Sequence, residues 1–87
     1  MNKLLIKQYI DKINTKDILN FAFNNGIEIN SSDAEVLNYH LKNDWMELLY
    51  GDPSAIIKNI ELKLGPEKAL AISNIYFAYK EKYKDYL

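Results

Sequence analysis

The single histidine of this 87-residue chain lies in "HLKNDWME", with Asp44 four residues on and Glu47 one further turn away. Residues three and four apart share a helix face. His40, Asp44 and Glu47 would therefore present an imidazole and two carboxylates together, a set that could hold a divalent cation or move a proton. The rest of the sequence gives that chemistry little support. Zinc and transition-metal sites draw on several histidines or thiolates, whereas this chain has one histidine and no cysteine. Acid–base or nucleophilic catalysis needs a nucleophile, a base and a group to orient the base, and no spacing here supplies all three. The three glycines stand singly at helix ends, so no glycine-rich phosphate loop exists. His40 reads as a helix-surface or partly buried residue. The expectation is a chain with no catalytic residue, no metal and no cofactor, which is not an enzyme.

A second candidate chemistry closes the chain. "YFAYKEKYKDYL", residues 76–87, threads aromatics with lysines. Stacking platforms for single-stranded nucleic acid combine those residue types, and so do protein interfaces and ordinary helix ends. Charge separates the readings. Lys80, Lys82 and Lys84 are set against Glu81, Asp85 and the terminal carboxylate, and lysines suit the negative end of a helix dipole. Over the whole chain 11 lysines and no arginine face 12 acidic residues, a net charge of −1. Nucleic-acid affinity rests on excess positive charge, and base readout most often on arginine. At 100° per residue Ala69, Ile72, Tyr76, Tyr79, Tyr83 and Tyr86 fall within an arc of about 100°. The stripe is thus expected to pack at the core and rim, with a protein interface as its functional use. Paired with a copy of itself it would form a seam in the manner of heptad stripes.

Trp45, Met46, Leu48, Leu49 and Tyr50 form the other dense apolar patch. Trp and Tyr dominate interface hot spots, but a small domain needs its large aromatics inside. A plug at the end of the bundle is the favoured reading, with Trp45 and Tyr50 kept as interface candidates beside the tyrosines.

The segment 16–41 reads as helix, glycine turn, helix. As a DNA-reading helix-turn-helix its joint "GIEINS" is long, and its second helix opens with Asp33 and Glu35 where phosphates or bases would lie. As a calcium loop with Gly26 sixth, Phe21 and Phe23 would fall at ligand positions and Ser32 at the glutamate position. Nucleic-acid binding through this hairpin remains the alternative function.

These side chains must be placed by helices. Ile6, Ile10 and Ile13 share a face of a first helix, about 3–13. Asn14 or Thr15 caps a second, with Asp17 in its first turn and Gly26 at its left-handed end. "IEIN" is an extended joint whose two isoleucines should point inward. Ser32 and Glu35 have capping-box spacing for a third helix running through Val36, Leu37, His40 and Leu41. Asp44 and Glu47 repeat that spacing, so a short extra helix or an extension follows. Gly51 stops it, Asp52 caps, and Pro53 opens a helix lined by Ile56, Ile60 and Leu64. Gly65 and Pro66 repeat the device for a last helix of about 66–85. Residues 69–79 are apolar almost all round, which predicts a helix central to the bundle at its start and one-sided at its end. The fold class is all-α, a compact bundle of four to five helices in one domain, 1–87.

A chain this short buries only about 60–65% of its unfolded surface, so stability should be a few kcal/mol. Its 48% apolar content must supply that without disulfides. The longest apolar run, "IYFAY", falls far short of the roughly 18 residues of a membrane span, and Lys7, Gln8 and Asp11 interrupt any signal-peptide core. A cytoplasmic location follows as the expectation. "KINTKDILNFAFNNGIEINSSDAEVLNYHLK" and "GPEKALAISNIYFAYKEKY" resemble the YqfT-like group, small helical proteins of low-GC Gram-positive bacteria. "WMELLYGDP" stands where that group has a basic, arginine-containing linker. The resemblance implies a helical fold and transfers no activity, ligand or catalytic residue. The expected role is a non-catalytic interaction module, forming a homodimer or a complex with one protein partner, away from nucleic acid and membrane.

Overall fold

Side chains that replace lost backbone partners set the helix boundaries. The computed structural model describes residues 2–87. It contains α1 (Lys3–Lys12), α2 (Thr15–Asn24), α3 (Ser31–Tyr50), α4 (Ser54–Leu64), α5 (Pro66–Tyr83) and a terminal 3-10 turn, Lys84–Tyr86. The architecture is all-α.

Helix α2 opens with a reciprocal box. Asn14 Oδ1 accepts from the Asp17 N–H at 2.9 Å, and Asp17 Oδ2 accepts from the Asn14 N–H at 3.0 Å. The same device opens α3, but two residues earlier than the Ser32–Glu35 spacing implied. Asn30 Oδ1 accepts from Asp33 N–H at 2.8 Å and Asp33 Oδ2 from Asn30 N–H at 3.1 Å. Asn30 is extended and its short amide reaches the third helical N–H, which leaves Ser32 inside the helix and exposed. Helix α2 ends in a Schellman motif. Ile27 N–H bonds to Ala22 C=O and Gly26 N–H to Phe23 C=O, with Gly26 at φ 73°. Asp52 Oδ1 takes both the backbone N–H and the hydroxyl of Ser54, at 3.0 and 2.6 Å. These bonds hold the Asp52 carboxyl below its ordinary range. Gly65, at φ 90° and ψ 160°, joins α4 to α5 in a region that only glycine visits freely.

The buried apolar core is Ile6, Ile10, Ala22, Ala34, Ile56, Ile60, Leu64 and Ala69. Burying an isoleucine or leucine stabilises by about 1.5–3 kcal/mol, so Ile56, Ile60 and Leu64 on one face make α4 a principal support. Helix α5 packs against α4, α2 against α3, α3 against α4, and α1 more lightly against α3. The radius of gyration is 12.4 Å.

The last helix is long, as expected, with 18 residues in α5, and α3 has 20. The extension beyond His40 joined α3 through a kink at Asp44, whose φ of −124° is not helical. One expectation is revised: α5 is not enclosed over 69–79, since Leu70 is 63% exposed and Phe77 49%. Its closest backbone packing is on α4.

Candidate functional site

Helices α2 and α5 have no backbone packing as close as that of α4 on α5; they meet through the rings of Phe21 and Tyr79, 5.6 Å apart. From that contact a row of rings runs down the last turns. Tyr79 stacks on Tyr83 with centroids 6.2 Å apart and planes within 9°, and Tyr83 meets Tyr86 at 6.1 Å. Tyr79 and Tyr83 are a little over two-fifths exposed and Tyr86 is 61% exposed. Tyrosines already stacked on one another have ordered ring faces, so a partner binding them meets little further rotamer entropy.

Behind this row lies a cavity of about 490 Å³ between α2, α3 and α5, walled by Ile18, Leu37, Leu49, Ile72 and Ile75. Tyr76 forms part of the wall, and its hydroxyl donates to the Leu48 carbonyl. That bond turns Tyr76 inward, so of the four stripe tyrosines it is the one committed to the fold. Lys80 stands at the lip. Its ammonium lies 3.3 Å from the Tyr76 hydroxyl oxygen and 5.6 Å from the centre of that ring.

Trp45 and Tyr50 lie elsewhere. Trp45 is half-buried and, with Ile6, Ile10 and Leu41, walls a cavity of about 320 Å³ between α1 and α3. Tyr50 is half-buried, its hydroxyl is enclosed, and the Lys3 ammonium sits over its ring at 4.7 Å. Neither joins the tyrosine row. Both occupy the position of a plug between the chain start and the end of α3.

The histidine face is rearranged. His40 is buried, with Nδ1 2.8 Å from Asp44 Oδ2 and Nε2 2.9 Å from Asn59 Oδ1. Glu47 does not join them; its carboxylate accepts from the Asp52 N–H at 2.9 Å. A carboxylate–imidazole pair is the orienting half of a hydrolytic triad, but here the second nitrogen meets an amide from α4 where such a triad has its nucleophile. The cluster links α3 to α4 across the kink. Among the described residues no three His, Asp or Glu side chains are grouped to hold a metal ion.

At the start of α3, Asp33 is buried and paired with Lys68 on α5 at 2.6 Å. Burial alone pushes its carboxyl up. The Lys68 hydrogen bond, the Asn30 N–H and the Lys68 charge outweigh this and hold it below its ordinary value of 3.8. Lys42 likewise donates to the carbonyls of Ile10 and Ile13, closing the end of α1.

No described helix is long and apolar enough to cross a membrane. No protein-family model, curated protein or solved structure matches the chain.

Proposed function

We propose that this protein is a non-catalytic interaction module whose contact element is the ring row Phe21–Tyr79–Tyr83–Tyr86, and that its partner is a second copy of the chain. The observation that carries this reading is the row itself: four rings in sequential contact, each between two-fifths and two-thirds exposed, bordering an apolar groove. A two-fold contact needs a self-complementary patch, and a row of exposed ring faces can pack against its own copy. Lysines and acids alternate over 80–85, so two such ends brought together face no large block of like charge.

Area sets the strength. An aromatic side chain buries about 150–250 Å². Roughly half of each of four rings therefore offers on the order of 300–500 Å² per copy, below the ~800 Å² per partner of a standard stable interface. The dimer is accordingly weak and in concentration-dependent exchange. Sedimentation velocity over a wide concentration range tests it: a reversible monomer–dimer boundary supports the reading, and a strict monomer at millimolar protein removes it. The nucleic-acid alternative gains nothing from the 16–41 hairpin, where the Asp33 carboxylate and its Lys68 partner occupy the start of the would-be reading helix.

A further inference from the structure

We propose that the cavity behind the tyrosine row is a binding site for a single-chain aliphatic carboxylate, with its tail among the isoleucines and its carboxylate on Lys80. This goes beyond self-association, because the ligand would occupy the half-open space behind the row and not the outer faces of the rings.

Three observations combine. First, the cavity's volume of about 490 Å³ lies within the ~300–1,000 Å³ range of small-molecule sites. It also shares the walls Ile18, Leu37, Ile72 and Tyr76 with a further space of about 170 Å³ that reaches towards Ile57 and Ile60. The smaller space adjoins the larger one at those shared walls and is also lined by His40 and Ser73. Second, Lys80 is the one charged side chain on the lining of the larger cavity, which includes no aspartate or glutamate side chain, although Leu87 with its terminal carboxylate also borders it. Third, the Lys80 ammonium forms no ion pair with any carboxylate among the described residues, while Lys7, Lys68 and Lys84 each do. Asp52 is near enough to register its charge but holds its own bonds to Ser54. The Tyr76 hydroxyl spends its proton on Leu48, so towards Lys80 it can only accept.

The chemistry of the occupant follows. An apolar recess with one unpaired cation at its mouth complements a long tail carrying one negative charge. A neutral alkane would leave the ammonium unused. A peptide would bring a backbone donor and acceptor at every residue into walls that are mostly apolar.

Isothermal titration of the protein with octanoate, decanoate and dodecanoate, below their micellar concentrations, tests this. One ligand should bind per chain. Each added methylene should raise affinity about fourfold, from the transfer free energy of a buried CH₂, until the recess is full. Lys80→Gln should weaken dodecanoate about tenfold, the share of a charge-assisted hydrogen bond, and leave dodecanol within twofold. Ile75→Trp, which fills the mouth, should abolish both. Tyr86 is not on the cavity wall, so Tyr86→Ser should reduce self-association and leave dodecanoate affinity unchanged, which separates failure here from failure of the dimer. Non-saturating uptake, equal losses of acid and alcohol with Lys80→Gln, or no dependence on chain length would each overturn the proposal. Should Ile75→Trp not fold, the acid–alcohol comparison with Lys80→Gln decides alone.

Discussion

The two ends of α5 differ in how the rest of the chain meets them. At its start Ala69 is buried against Ile56, Ile60 and Leu64 of α4, and Lys68 reaches Asp33 of α3. Three helices are fastened there within two turns. At its end α5 meets α2 through the Phe21–Tyr79 ring contact, with a cavity behind it. The side chains at the first end are small or branched and interdigitate; at the second they are large rings that hold two helix backbones apart. A helix can thus hold a fold at one end and offer surface at the other, the division expected where binding regions are drawn from the less stable parts of a structure.

The comparison is broken most directly by truncation. Ile60→Ala should cost about 2–5 kcal/mol, the usual loss for a large-to-small change in a core. Ile75→Ala, on the cavity wall, should cost about 1 kcal/mol or less because there is already space around it. Urea unfolding of both variants measures the contrast, and equal losses would erase the distinction between the ends. Next in size, Gly65→Ala should destabilise by about 1–3 kcal/mol, since a side chain at φ 90°, ψ 160° is strained although nothing nearby would clash with it. That substitution loosens the fastened end without touching the row.

Asp33 sharpens the contrast through pH. Its carboxyl is held below 3.8 in the folded chain, so the folded state binds this proton less readily than the unfolded state. The stabilisation is complete above about 3.8 and is lost as pH falls through the lower, folded value. Lys68→Met should cost about 1 kcal/mol at neutral pH, the upper range for a partly exposed pair, and should flatten this acid limb in melts followed by circular dichroism. The smallest effect on stability should come from Tyr86→Ser, within about 0.5 kcal/mol, although it is expected to be the variant that most reduces self-association.

What could be read in the sequence was local. The cap at Asn14 or Thr15, the glycines at 26 and 65, and the face Ile56–Ile60–Leu64 depend on residues within a turn or two of one another. Even there the start of α3 was misplaced, because Ser32–Glu35 and Asn30–Asp33 offer the same spacing and only backbone conformation chooses between them. Lys42 on the carbonyls of α1, Lys68 on Asp33 and Asn59 on His40 join residues far apart in sequence, and no periodicity marks them. The tyrosine arc was visible as an arc. That Tyr76 would turn inward to Leu48 while Tyr79, Tyr83 and Tyr86 stayed half-open depends on α2 standing off from α5, a property of packing rather than of spacing. Lys80 passed for one of three dipole-favoured lysines for the same reason.

The row can be tested against tyrosines of the same molecule. Tyr9 is 67% exposed and Tyr39 61%, as open as any ring in the row, yet neither belongs to it. Ring resonances of tyrosine-labelled protein, followed by NMR on dilution from millimolar concentration, compare them within one sample. Shifts confined to Tyr79, Tyr83 and Tyr86 are the expected result. Spectra unchanged on dilution, or equal shifts at Tyr9 and Tyr39, would contradict the assignment of the row as the contact surface.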